Sequence, residues 1–263
     1  MSRNDVLAGI SREPDGSSVG LWSVFVLRTA LQPIYAFRPG KLEIVAYEAL
    51  LRPFRGGRAV SPDRFFSNIE PQDRAHVEAL SRSIHILNAG KFLDPSVSIF
   101  INFDPSIFAE SEIAVTTLRD LRLVMHEAGI PSGRLVCEVT EKAATSETAL
   151  VEFVASAKEK GFRIAVDDYG AEESDLHRIE RLGPDIVKFD GAWSNRLMRS
   201  KAGFNLLTTL VASIKSTGAT TVLEGLESSR NIELAELAGA DMVQSYALAR
   251  PDIVPGAFVH SKV

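Results

Sequence analysis

Asp167 and Asp168 stand side by side at the end of the apolar run Ile164-Ala165-Val166, and Gly170 follows two residues later. Adjacent carboxylates at the end of a buried strand repel each other and lose solvation, so they require a positive partner. A divalent cation is the simplest one, because Mg²⁺ and Mn²⁺ favour carboxylate and amide oxygens. Taken alone, the dipeptide reads as a surface turn. Other apolar runs, however, end in residues of the same kind: Glu48, Asn102, Glu138, Lys188, Glu224 and Gln244. This set is rich in oxygen and holds no histidine, which disfavours zinc. Several carboxylates with one Asn can hold two cations roughly 3.5–4 Å apart, sharing a bridging carboxylate. Such a pair activates a water and stabilises the charge that develops when a phosphoester is hydrolysed. Lys188 suits orienting that water or neutralising phosphoryl oxygens; the plainer alternative is an interior salt bridge. Arg52 offers a planar fork for a phosphate.

For these residues to meet, the runs that carry them must be neighbouring strands. LQPIYAF and LEIVAYEALLRP are separated by the turn Pro39-Gly40-Lys41 and predict a hairpin. Strands follow in SIFINFDP, RLVCEVTE, IAVDD, PDIVKFD, ATTVLEGLE and ADMVQSYALARP. Helices are predicted between them: one opening at Ser61-Pro62-Asp63, one over about 72–90, and one ending at Gly129. Others run from Ser146 to Gly161, over 176–182 and 201–217, and up to Gly239. The apolar stretch Leu21–Leu31 is expected to form a short packed helix. Strand–helix alternation at this density means a parallel sheet, and about eight strands suit an α/β fold of the (β/α)₈ barrel type. The opening hairpin makes one strand near the start antiparallel. In such a barrel the site lies at the C-terminal ends of the strands, where the polar residues fall.

The 263 residues are 45% hydrophobic, enough for a substantial core. Residues 1–20 are expected to be a flexible leader and 21–263 a single barrel domain. The formal charge of −5 argues against a protein that coats nucleic acid or a polybasic membrane anchor. Cys137 is the only cysteine, so no intrachain disulfide forms. The first residues lack the apolar core of a signal peptide, and the apolar stretch LWSVFVL is too short to span a bilayer. A cytoplasmic protein is expected.

The motifs taken together resemble the EAL domain, the family of cyclic di-GMP phosphodiesterases, over about Leu31–Pro251. They are Gln32-Pro33-Ile34, Glu48-Ala49-Leu50-Leu51-Arg52, Asn102-Phe103-Asp104-Pro105, Glu138-Val139-Thr140-Glu141 and Asp167-Asp168-Tyr169-Gly170. Asp185-Ile186-Val187-Lys188, Glu224-Gly225-Leu226-Glu227 and Gln244 complete the set. The resemblance implies a barrel that hydrolyses cyclic di-GMP to linear pGpG with Mg²⁺ or Mn²⁺ and is inhibited by Ca²⁺. It implies that Glu48, Asn102, Glu138 and Asp167 ligate metal, with Asp167 bridging and Asp168 serving the second ion. Glu224 would help bind that ion or activate the water, Lys188 would hold the water, and Gln244 would assist near it. Glu48, Lys188 and Glu224 are thus the expected catalytic set. Gln32 and Arg52 would contact the dinucleotide, and Glu141 would anchor the loop after Asp168. A homodimer is also implied, and regulation is expected from oligomerisation, a protein partner or expression.

The sequence departs from the family pattern after Asp168. Glu172 stands where a glycine is usual, Glu173 where an aromatic is, and Asp175 where a small residue is; Ser245 replaces another glycine. Three added carboxylates near an anionic ligand weaken its binding unless they point to solvent. A second functional class therefore stands beside the enzyme: a weak or inactive EAL domain acting as a cyclic di-GMP receptor or protein-interaction module.

Overall fold

The computed structural model describes residues 3–104, 111–140, 147–171 and 176–260. The chain opens with α1 (Arg3–Ala8), β1 (Ile10–Arg12) and β2 (Ser18–Trp22), followed by two long strands, β3 (Phe25–Arg38) and β4 (Lys41–Arg55). A short β5 (Arg58–Ala59), α2 (Pro62–Phe66) and α3 (Pro71–Phe92) come next. Strand and helix then alternate: β6 (Ser98–Phe103), α4 (Ser111–Ala128), β7 (Leu135–Thr140), α5 (Glu147–Glu159), β8 (Arg163–Tyr169) and α6 (Leu176–Leu182). The last part contains β9 (Ile186–Phe189), α7 (Gly191–Leu197), α8 (Lys201–Ser216), β10 (Thr220–Leu226), α9 (Ser229–Leu237), β11 (Met242–Ser245) and β12 (Asp252–Ile253).

Eight strands close into a barrel in the order β3-β4-β6-β7-β8-β9-β10-β11, and β11 returns to β3. Only β3 runs against the rest, pairing antiparallel with β4 and with β11. The expected hairpin is present, and its strands run well beyond the predicted segments, from the pair Phe25↔Arg55 to the pair Arg38↔Lys41.

Alternate residues of a strand face opposite sides. Outward-facing Ile99, Ile101, Cys137, Ile164, Val187 and Leu223 join the main core beneath the helices. Inward-facing Ile34, Ala46, Phe100, Val136, Ala165, Ile186 and Val222 form a separate apolar plug, with Met242 packed against it. In each strand the residue two positions further toward the upper end is polar, so the plug carries a polar layer directly on top. The seven strands that run upward reach it at i+2, and antiparallel β3 at i−2.

Leu21–Leu31 is not helical. Leu21 and Trp22 close β2, Ser23 turns at φ +52°, and Phe25 begins β3. Leu27 pairs with Gly20 on one side and Pro53 on the other, and is fully buried. An apolar run of this length suits a buried strand and a buried helix equally, and cross-strand pairing decides it. The stretch 1–20, read as a loose leader, carries α1, β1 and most of β2. Two bonds between Ser18 and Asn88 of α3 fasten it. Together with the upper parts of β3 and β4, and with α2 and α3, this stretch forms a lobe. The lobe has its own core of Val6, Leu27, Leu51, Phe65, Leu80 and Ile84. No described helix is long and apolar enough to cross a membrane.

Candidate active site

All eight barrel strands contribute to the polar layer: Gln32 from β3, Glu48 from β4, Asn102 from β6, Glu138 from β7, Asp167 from β8, Lys188 from β9, Glu224 from β10 and Gln244 from β11. Lys188 stands at its centre, almost wholly buried. Its Nζ lies 2.7 Å from Glu138 Oε1, 3.0 Å from Asp167 Oδ1, 3.0 Å from Glu224 Oε2 and 3.7 Å from Glu48 Oε2. Around it, Gln244 Nε2 donates to Glu48 Oε2 at 2.8 Å and Asn102 Nδ2 donates to Glu48 Oε1 at 3.2 Å.

Four carboxylates around one ammonium leave an excess of negative charge in a buried place. Burial pushes the Glu138 carboxyl well above the usual range, with Glu48 and Asp167 adding to the effect and Lys188 opposing it. Burial likewise raises Glu224 to about 8, against the pull of Lys188 and with Asp167 and Glu48 pushing the same way. Burial works against the charge of Lys188, but Asp167, Glu138, Glu224 and Glu48 outweigh it and hold the ammonium well above its ordinary value.

The donor set fits a hard divalent cation. Asp167, Asp168 and Glu224 each offer an oxygen, and the three atoms lie within 4.8 Å of one another. Glu138 Oε2 is buried without a hydrogen-bond partner, and Glu138 Oε1 and Asp167 Oδ1, equally buried, have only the shared Lys188 ammonium beside them. Buried oxygens of this kind carry a cost that a bound cation removes.

Backbone geometry sets the rim. Asp168 has a positive φ, +61°, a sign that only Ser23 shares among the described non-glycine residues, and this kink lifts it out of the strand repeat. Gly170 follows at φ +100°, and a Cβ there would lie 2.6 Å from the Trp193 ring. Glu224 is held from behind. Gly225 and Gly191 approach so closely that a Cβ on Gly191 would sit 2.7 Å from the Glu224 carbonyl. Asn195 of α7 donates to the Gly225 carbonyl at 2.9 Å, and Ser245 Oγ donates to the Leu226 carbonyl at 2.6 Å. Asn195, Gly191 and Trp193 escape sequence reading because α7 is only seven residues long and follows β9 almost without a loop. The sole signal is Asp190, whose carboxylate caps the helix by accepting from the Trp193 amide.

Two clefts flank the ring. One, of about 490 Å³, is bordered by Gln32, Glu48, Asn195, Glu224, Gln244 and Tyr246. The other, of about 370 Å³, lies toward the lobe and is bordered by Arg52, Glu78, Arg82, His85, Asn102 and Asp104. The expected ligands Glu48, Asn102, Glu138, Asp167, Asp168 and Glu224 therefore gather with Lys188 and Gln244 at one end of the barrel. Gln32 and Arg52 fall in different clefts. Glu141, Glu172, Glu173 and Asp175 lie outside the described residues.

The model of the EAL domain matches residues 26–251, a span that contains every residue of the ring. A probable cyclic di-GMP phosphodiesterase of Escherichia coli, PdeA, is 24% identical over 95% of this chain and 35% of its own length. The cyclic di-GMP phosphodiesterase RocR of Pseudomonas aeruginosa is 26% identical over 60% of this chain and 40% of its own. The chain thus spans well under two thirds of these curated relatives. Among solved structures, Klebsiella pneumoniae BlrP1 in its manganese and cyclic di-GMP complex superposes with a TM-score of 0.75. It is 24% identical over 86% of this chain and 56% of that one. Bacillus subtilis YkuI, with cyclic di-GMP and calcium, also gives 0.75, at 22% identity over 96% of this chain and 59% of its own.

Proposed function

The chain belongs to the EAL domain family, and from that premise we propose that it is a metal-dependent phosphodiesterase acting on cyclic di-GMP. One observation carries this most directly: four carboxylates from four strands converge on a single buried lysine, with Glu138 Oε2 left without a hydrogen bond. That arrangement is unfavourable as a structural salt bridge and suited to a cation site.

In this reading Glu48, Asn102, Glu138 and Asp167 would hold one cation, and Asp168 and Glu224, with Asp167, would hold a second. Bound there, Mg²⁺ or Mn²⁺ would supply Lewis acidity toward the phosphoryl oxygens and lower the pKa of a water. Lys188 would orient the attacking water and offset charge on the phosphoryl group. Gln244, already fixed on Glu48, orients the carboxylate and borders the water's position. Gln32 and Arg52 grip the dinucleotide from the two clefts, and the opened product is linear pGpG. Glu141 is assigned to anchoring the loop after Asp168. Ca²⁺, larger and less demanding in geometry, is expected to occupy the site and slow turnover.

A receptor reading draws on the acidic Glu172-Glu173 and Asp175 that follow the kink at Asp168. A homodimer and a regulatory protein partner belong to either reading. The deciding experiment separates cyclic di-GMP, pGpG and GMP chromatographically after incubation with Mg²⁺, Mn²⁺, Ca²⁺ or EDTA, with equilibrium binding measured in Ca²⁺. Product in Mg²⁺ or Mn²⁺ that disappears with EDTA supports the enzyme. Binding in Ca²⁺ without product in any metal makes the protein a receptor; neither binding nor product overturns both.

A further inference from the structure

The cleft toward the lobe holds a histidine to which the phosphodiesterase reading gives no role. α3 buries a stripe of polar side chains, Glu78, Ser81, Arg82, His85 and Asn88, spaced three and four apart so that they share one face. Most are satisfied internally. Arg82 pairs with Glu78 at 3.3 Å and lies over the Phe103 ring at 4.8 Å, and Ser81 donates to the Val77 carbonyl. His85 borders the cleft with them, beside Arg52 and Asn102.

Its protonation follows from a chain of hydrogen bonds. The Asn88 amide is fixed by Ser18, whose backbone N–H donates to Oδ1 at 2.7 Å and whose carbonyl accepts from Nδ2 at 2.9 Å. The same Nδ2 donates to Thr29 Oγ1 at 2.9 Å. Thr29 is buried, and the contact left for its own proton is His85 Nδ1, also at 2.9 Å. Nδ1 is therefore an acceptor, the ring proton sits on Nε2, and with Nδ1 taken up by Thr29 it is Nε2 that remains for a ligand in the cleft His85 borders. Burial, with Arg52 and then Arg82 nearby, pushes the imidazole down to about 3, so the ring stays neutral at physiological pH.

We propose that the Nε2–H of His85 reads the ligand's base, selecting the 6-keto oxygen of guanine over the 6-amino group of adenine. A fixed donor facing O6 gains a hydrogen bond; facing an amino group, it is left buried and unpaired. Asn88 and Thr29 are positioning residues that set the tautomer. The inference rests on the cyclic di-GMP reading.

The test is equilibrium binding in Ca²⁺ of cyclic di-GMP, cyclic di-IMP and cyclic di-AMP to the wild-type chain, His85→Ala and Thr29→Val. His85→Ala is expected to weaken both keto ligands about tenfold and the adenine ligand little. Thr29→Val should do the same to a lesser degree, because Nδ1 is then free to take the proton. Unchanged preference in a folded His85→Ala overturns the proposal while leaving the phosphodiesterase reading intact. Binding of none of the three by the wild-type chain overturns that reading itself. Independently of any variant, ¹⁵N NMR of the histidine-labelled wild-type protein should show His85 as the Nε2–H tautomer, with its resonance moved by cyclic di-GMP. An Nδ1–H tautomer or an unmoved resonance counts against the proposal.

Discussion

Lys188 Nζ and Glu138 Oε1 lie 2.7 Å apart at the centre of the barrel, both essentially sealed from solvent. Each is a liability without the other. Lys188→Met removes the positive charge that four carboxylates share. In EDTA the variant should unfold about 3 kcal/mol more easily than the wild-type chain, the order expected when one partner of a buried pair is lost. Mn²⁺ should recover part of that loss by mass action. Urea midpoints for the two proteins, with and without Mn²⁺, provide the check; equal midpoints in EDTA would show the carboxylates neutralised by other means.

Glu48 joins the two sides of the ring, accepting from Asn102 and from Gln244. Glu48→Ala should lower metal-dependent hydrolysis by about 100-fold or more and weaken Mn²⁺ binding measured by calorimetry. Full activity in this variant would remove Glu48 from the ligand set.

Gly170 has room for a hydrogen and nothing larger. Gly170→Ala adds a Cβ 2.6 Å from the Trp193 ring at φ +100°, so both contact and backbone oppose it. A loss of about 2 kcal/mol or more is expected, together with weaker Mn²⁺ binding through the neighbouring Asp168. In a Trp193→Ala background the contact is relieved and the backbone strain remains, so adding Gly170→Ala there should lower the thermal midpoint by less than it does in the wild-type chain. Trp193→Ala measured alone corrects for the lost ring.

His85 makes the lobe sensitive to acid. Its folded pKa of about 3 lies below the ordinary 6.5, so between those values the unfolded chain binds a proton that the folded protein refuses. Stability therefore falls as pH drops from about 6.5 toward 3, by about 1.4 kcal/mol per pH unit for this one group. Denaturant titrations at pH 7, 6, 5 and 4 should give a shallower decline in His85→Gln. Parallel slopes would mean that the ring is reached by solvent before the chain unfolds.

The ring was legible because it obeys a rule of two. Phe100 and Asn102, Val136 and Glu138, Ala165 and Asp167, Ile186 and Lys188 each place a polar residue one pleat above an apolar one, and alternation along a strand is written in the chain. Helix ends were legible for a similar local reason, as at Ser61, which caps α2, and Gly239, which follows α9. What escaped depends on contacts between distant segments. Leu21–Leu31 has no local feature that separates strand from helix, and its cross-strand pairing between β2 and β3 and with β4 decides it. The close approach of Gly191 and Gly225 joins residues far apart in sequence that share no periodicity. The polar stripe of α3 spoils the amphipathic pattern by which helix faces are recognised, so nothing local marks His85 as buried.

The long hairpin has a mechanical consequence. Gln32 and Glu48 are direct cross-strand partners within it, and the same two strands continue upward into the lobe. Sliding one strand past the other by a single residue would turn Glu48 away from the ring, and the next permitted step is about 7 Å. Translation of the lobe along the ribbon is thus quantised, and no small ligand can drive it. Bending and twisting of the ribbon remain, and α3 opposes them, because its Ile86, Ala89 and Phe92 are packed into the main core of the barrel.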